Sequence, residues 1–359
     1  MSNITFLGDI AFNGLISENP EFNLLRFSKI APILENSDIV FANLEVPLKV
    51  DNCRNENKNF IRFSLPSPTA ELLKMLNIRC VSLANNHIFD CKMSGLKATI
   101  KTLDQLKIFH TGAGWLPHHI EPVIIEHNNN KVAFCAYVDK STNPKTEYFP
   151  ELFINYFNLK NVLKDIERIK DQVNNIICSI HWGNDYSNYY TNVQQEFAYK
   201  LIDVGVDVIM GHHPHTIQTF ENYKGKYIFY SLGNLCFGDF IWEGKLKALR
   251  RKTKFGMIVT FFDSFSKIKI IPTIEKKGNY LLIPKININK ILNRFRLINK
   301  LKNKFWPINL MIIIKESFFD RIIEFIFGYY RNPLLELISS KNIKKIKFMF
   351  RDFKSRYNK

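Results

Sequence analysis

Gly211-His-His-Pro-His215 puts three imidazoles into four positions, directly after the apolar run Asp207 to Met210. Imidazole is a nitrogen ligand for zinc, manganese and iron, and a tight loop containing proline lets His213 and His215 point from alternate positions into one cavity. His212 is the member expected to be structural. A second motif, Ser179-Ile-His-Trp-Gly183, ends another apolar run in the same way and offers His181. Either motif alone reads as a solvated histidine turn; two of them at the ends of successive runs argue for metal binding. In Leu83-Ala-Asn-Asn-His-Ile-Phe-Asp90, the Asn86 carbonyl can coordinate a divalent cation while His87 serves as a general acid toward the leaving group, with Asp90 in the same segment. Asp9 after Gly8 and Glu45 after Asn43-Leu44 add hard carboxylates. A helix cap or a surface ion pair is the plainer use of each carboxylate alone. Together with the imidazoles they make a mixed oxygen and nitrogen set suited to two divalent cations, with Mn, Fe and Zn as candidates.

Residues so far apart need a scaffold that brings them to one place. Apolar runs rich in Ile, Val and Phe recur at Asn3 to Leu7, Asp38 to Ala42, Ile78 to Leu83, Lys131 to Val138, Asn175 to Ile180, Val206 to Met210 and Lys226 to Tyr230, and read as strands. Helical periodicity fills Phe22 to Glu35, Ser67 to Asn77, Ser94 to Lys107, Asn158 to Val173 and Val193 to Val204. Such alternation predicts an α/β layered domain with much parallel pairing. Asp9, Asn43, Glu45, Asn85 to His87, His181, His212 to His215 and Asn234 all follow such runs, at their C-terminal ends. That edge is where loops from separate strands of an α/β sheet converge on a ligand. Ile258 to Pro284 reads as a strand-rich meander that closes the domain.

Gly8-Asp9, Asn43-Leu44-Glu45, Asn85-Asn86-His87 with Asp90, His181-Trp182-Gly183, Gly211-His-His-Pro-His215 and Ser231-Leu-Gly-Asn234, in this order and spacing, resemble the CapA family of capsule and poly-γ-glutamate biosynthesis proteins. That family is itself similar to calcineurin-like metallophosphatases, and the resemblance covers about residues 3 to 240. It implies a four-layer α-β-β-α sandwich with the site on the strand ends. It further implies Asp9, Asn86, His181, His213 and His215 as metal ligands, Glu45 at the position of a bridging carboxylate, and His87 with Asp90 as the catalytic pair. The implied activity is a metal-dependent hydrolase, phosphoester-type favoured, working on an anionic polymer or a phosphorylated substrate, in contact with a polymer synthetase complex. The alternative is a non-hydrolytic assembly or polymer-binding factor. Two departures bear on that choice: the wider superfamily begins Asp-x-His where this chain has Asp9-Ile10-Ala11, and Glu45 is one methylene longer than the usual Asp.

Lys and Arg outnumber Asp and Glu by 50 to 33 over 359 residues, a formal charge of +17. From Lys285 to Lys359 there are 18 basic and five acidic residues, so +13 of that total lies in the last fifth of the chain. The expected division is therefore a domain over 1–284 and a basic amphipathic helical extension over 285–359. The extension suits a solvated helical subdomain or peripheral contact with anionic lipid or polymer. No nucleic-acid fold signature accompanies the charge, so nucleic acid is not an expected partner. Leu310 to Ile314 falls far short of the roughly 20 apolar residues needed to span a bilayer. None of the six cysteines forms a CxxC pair and three lie in strand-like runs, which predicts reduced core thiols. With no basic n-region or apolar h-region in the opening residues, the expected place is the cytoplasm, peripheral at the inner membrane face.

Overall fold

The computed structural model describes residues 3–50, 62–144, 151–242, 245–247, 251–262, 265–276 and 278–304, with five positions between 308 and 316. Of the expected basic extension over 285–359, residues 305–307, 309–310, 313–314 and 317–359 lie outside the described residues. The backbone divides into two units, Met1–Asn299 and Lys300–Lys359, and every sheet belongs to the first.

In that unit, β1 (Ile4–Ala11) and β2 (Ile39–Leu44) precede α1 (Pro66–Met75), β3 (Ile78–Ser82), α2 (Lys92–Gln105) and β4 (Phe109–Thr111). The hairpin β5 (Val123–His127) and β6 (Asn130–Val138) leads to α3 (Leu159–Ile169), β7 (Asn175–His181), α4 (Asn192–Asp203) and β8 (Val208–His212). The strands β9 (Phe220–Tyr223), β10 (Lys226–Phe229), β11 (Asn234–Phe237), β12 (Phe255–Phe262), β13 (Lys267–Glu275) and β14 (Leu281–Leu282) come before α5 (Ile288–Lys304). One sheet has eight strands, ordered β14-β13-β12-β1-β2-β3-β4 with β11 also paired to β1; the other has six, ordered β9-β10-β8-β7-β6-β5. The pairs β1/β2, β2/β3, β6/β7 and β7/β8 are parallel, and β12, β13 and β14 form the antiparallel meander.

Strand periodicity decides the layers. On β2, Ile39 and Phe41 point into the core between the sheets while Val40 and Ala42 point to the opposite face, against Leu72 of α1 and Leu96, Ile100 and Leu103 of α2. On β6, Val132 and Phe134 join the inter-sheet core while Ala133, Cys135 and Tyr137 face Val162 and Ile166 of α3 and Leu201 of α4. The order is thus α-β-β-α, as the resemblance implied. Phe41 and Phe134 stack across the middle at 5.3 Å and 5°, each ring contributing about 1.5–3 kcal/mol by burial. Thr191 and Gln194 close a reciprocal capping box at the start of α4, worth about 1 kcal/mol.

Two expectations change. The helix over Phe22 to Glu35 is split into Asn23–Phe27 and Ala31–Leu34, because Pro32 has no N–H to continue the first helix and instead suits the opening turn of the second. The cysteines are not all reduced: Cys80, Cys135, Cys178 and Cys236 are free and buried, but Cys91 is disulfide-bonded. Ile288 and Leu292 of α5 are buried in the inter-sheet core, where Thr219 Oγ1 donates to the Leu292 carbonyl at 3.0 Å. Among the described residues no helix is long and apolar enough to cross a membrane.

Candidate metal centre

Two rows of paired residues, one on each sheet, build the site. In the eight-stranded sheet Asp9 on β1 lies level with Asn43 on β2 and Asn234 on β11; in the six-stranded sheet His181, the last residue of β7, lies level with His212, the last of β8. Close backbone approach makes this arrangement possible. A Cβ on Gly8 would overlap the Gly233 carbonyl, and one on Gly211 the Tyr230 carbonyl, which is why glycine precedes both Asp9 and His212.

Asp9 Oδ1 accepts from His212 Nδ1 at 2.8 Å and Asn43 Nδ2 at 2.9 Å, while Oδ2 accepts the His213 backbone N–H at 3.3 Å and lies 3.4 Å from His215 Nδ1. Asn43 Nδ2 also donates to Glu45 Oε2 at 2.9 Å, so a single amide ties the two carboxylates together. Glu45 Oε1 lies 3.5 Å from His215 Nε2 and 3.8 Å from His181 Nε2. Asn86 Oδ1 faces His181 Nε2 at 3.0 Å, and Asn86 Nδ2 donates to the Thr142 carbonyl. The His181 and His213 rings are 4.8 Å apart, and His213 and His215 both adopt left-handed backbone, at φ 94° and 55°. That conformation is costly for a side-chain-bearing residue and is characteristic of ligand sites.

The structure therefore brings Asp9, Glu45, Asn86, His181, His213 and His215 into one cluster, buried except for the half-buried Asn86. His87 stands beside Asn86 with its side chain 17% exposed, and its Nδ1 pairs with Asp90 Oδ2 at 2.8 Å. The Arg62 backbone N–H donates to the same oxygen at 2.7 Å. A carboxylate there accepts the Nδ1 proton and leaves Nε2 as the atom that can exchange one. Sequence reasoning missed Asp185, whose Oδ1 lies 3.4 Å from His213 Nε2. Its only signal was position, two residues beyond the His181-Trp182-Gly183 motif.

Charge is distributed unevenly across the cluster. Burial would raise the Asp9 carboxyl, yet its bonds to His212 and His215 hold it well below the usual carboxylate range. Burial, then the Asp9 charge, push Glu45 up to about 8. His215 would be lowered by burial, but Glu45 and Asp9 raise it to about 9. Burial keeps His181 and His213 below the ordinary imidazole value, in the neutral form that ligates metal.

Whether these residues fit divalent cations is tested by their unmatched atoms. Glu45 Oε1, His181 Nδ1 and His213 Nδ1 are buried without a hydrogen-bond partner. Buried polar atoms are costly when unmet, and a mixture of carboxylate, imidazole and amide oxygen is a donor set that first-row divalent metals accept. The ligand atoms of Asp9, Glu45 and His181 lie within 4.8 Å of one another, as do those of Asp185, His213 and His215. The residues fit.

Fold and site together define a four-layer α/β protein with a buried carboxylate–imidazole centre at its strand ends. The chain belongs to the family described as "Bacterial capsule synthesis protein PGA_cap", whose family model matches residues 3–239. It is 30% identical over 243 residues to the "Capsule biosynthesis protein CapA" of Bacillus anthracis, covering 65% of this chain and 59% of that one. It is 28% identical over 246 residues to the "PGA biosynthesis protein CapA" of Bacillus subtilis (strain 168), covering 65% and 62%. The match thus spans about three fifths of the length of these relatives. A putative 5'-nucleotidase from Staphylococcus aureus superimposes with a TM-score of 0.44 and 12% identity, over 83% of this chain and 58% of that one, too distant to support any assignment.

Proposed function

We propose that this chain is a divalent-metal-dependent hydrolase of capsule or poly-γ-glutamate-type polyanion synthesis, acting on a phosphoester group in preference to an acyl group. The observation that carries the reading is the convergence of Asp9, Glu45, Asn86, His181, His213 and His215 in one largely buried cluster that leaves Glu45 Oε1, His181 Nδ1 and His213 Nδ1 unmatched. When bound, a pair of divalent cations supplies electrophilic activation of the phosphoryl group and lowers the pKa of the attacking water. Asp9, tied to Asn43 and His212, would anchor one wall of the pocket, and Glu45, with Oε1 between His181 and His215, would be among the residues that hold the cations. Asp90 fixes the tautomer and orientation of His87, whose Nε2 then delivers a proton to the leaving group. Substrate would be an anionic polymer or a phosphorylated precursor, handled beside a polymer synthetase, with peripheral membrane contact through 285–359.

The test is elemental analysis of the purified full chain, followed by turnover of phosphomonoester, phosphodiester and amide substrates by wild type and His87→Ala. Hydrolysis is expected to fall about 10²- to 10⁴-fold in His87→Ala while metal content is retained. If the protein binds no divalent metal, and His213→Ala with His215→Ala leaves its function intact, the proposal fails. Ala11 favours a second reading, because it offers no donor two residues after Asp9, where the wider superfamily has a histidine. On that reading the centre binds polymer or synthetase without hydrolysis. Metal binding without turnover, joined to loss of polymer production in Asp9→Ala cells, would select it.

A further inference from the structure

Asp185 lies outside the set of residues that the sequence motifs single out, yet the fold holds it against two of them. It sits in the loop after β7, with its side chain 45% exposed and Oδ1 3.4 Å from His213 Nε2. Its carboxylate, His213 and His215 offer ligand atoms that all lie within 4.8 Å of one another. The loop is stapled to the histidine segment along its length. Tyr186 N–H donates to the Pro214 carbonyl at 2.8 Å; Thr216 Oγ1 and Gln218 Nε2 donate to the Ser187 carbonyl at 2.6 and 2.8 Å; Asn188 Nδ2 donates to the Ile217 carbonyl at 2.9 Å. Asp185 is thereby carried on the same rigid unit as His213 and His215. His213 turns Nε2 toward Asp185 on a ring only 4% exposed, while its other nitrogen, Nδ1, is buried and unmatched.

Charge gives the carboxylate a role. Two divalent cations bring four positive charges, and the buried carboxylates Asp9 and Glu45 neutralise two of them. A third carboxylate would offset one of the two charges left over, and a hard oxygen donor is what such cations accept beside imidazole. We propose that Asp185 is a metal ligand of this centre, donating a carboxylate oxygen to the cation held by His213 and His215 and so supplying the donor that Ala11 lacks. This assignment rests on the metal-centre reading above.

The test is titration of the metal-free full chain with Mn²⁺ and Co²⁺ by calorimetry, with the Co²⁺ visible spectrum recorded alongside, for wild type, Asp185→Asn and His181→Ala. Asp185→Asn is nearly isosteric at an exposed position. It is expected to weaken one of two binding events about 10- to 100-fold, at least the scale of losing a supporting contact to a ligand, to leave the other event unchanged, and to alter the Co²⁺ spectrum. Should Asp185→Asn match wild type in both titration and spectrum while His181→Ala loses metal, the Asp185 assignment is overturned and the metal centre stands. Absence of binding in the wild type overturns both.

Discussion

Glu45 and Glu275 are both buried, and burial pushes both carboxyls up, to about 8 and about 7. Their surroundings nevertheless differ in kind. Glu275 at the end of β13 is satisfied on both oxygens, by Asn279 Nδ2 on Oε1 and by the Phe237 N–H on Oε2 at 3.0 Å. Glu45 has one oxygen satisfied by Asn43 and the other unmatched, aimed between two imidazoles. A buried acid with both oxygens satisfied is a structural element: burial raises its carboxyl, and Lys254 and the two donors oppose that rise. An unsaturated one facing neutral and cationic nitrogens is a half-built coordination shell.

The largest effect expected from this contrast is at Asp9. Asp9→Ala removes the acceptor for His212 Nδ1, Asn43 Nδ2 and the His213 N–H together. Breaking one side of such a buried network costs about 3–5 kcal/mol, measurable by urea unfolding of metal-free protein. A loss below about 1 kcal/mol would mean that Asp9 does not anchor the cluster.

Glu275→Gln should act in the opposite direction. Below pH 4.5 the carboxyl is neutral in the folded and unfolded chain alike. Between pH 4.5 and about 7 only the unfolded chain ionises, so wild-type stability falls as pH rises, to a total of about 3 kcal/mol. Glutamine removes that slope, and rotation of the Asn279 amide can offer its now unmatched Oδ1 to the new N–H₂ group. The variant should be more stable than wild type by up to about 3 kcal/mol at pH 8 and equal to it at pH 4, with metal binding unchanged. If metal affinity also drops, the division between the two carboxylates is wrong.

The sequence displayed most of this scaffold because strands announce themselves through local composition. The runs that became β2, β3, β6, β7 and β8 are apolar and β-branched, and the residues that follow them share one edge by topology alone. Pairwise geometry was not visible in this way. Asn43 reads only as a residue at a strand end until the register sets it level with Asp9, and Asp185 reads as a loop acid until Tyr186 is bonded to the Pro214 carbonyl. The Cys91 disulfide has no spacing signature, since proximity created by folding leaves none in the chain. The split of the helix over Phe22 to Glu35 was legible in Pro32 and was outweighed by apolar periodicity on both sides of it.

A dependence of binding on pH follows from the protons that stand in for metal at the open carboxylate. Without cations, Glu45 keeps a proton up to about pH 8 and His215 up to about pH 9. A cation that takes Glu45 Oε1 and a His215 nitrogen must displace both protons, since ligation requires the carboxylate and the neutral imidazole. Below pH 8 the apparent Kd should therefore tighten by up to about two decades per pH unit, about 1.4 kcal/mol for each proton displaced. Between pH 8 and 9 the slope should halve as Glu45 is already ionised, and above pH 9 it should vanish. Calorimetry with Mn²⁺ in buffers of differing ionisation enthalpy counts the protons released at each pH. Glu275→Gln should superimpose on the wild-type profile, because its proton has no cation to compete with; a profile flat from pH 6 to 9 would show that Glu45 and His215 do not both ligate metal.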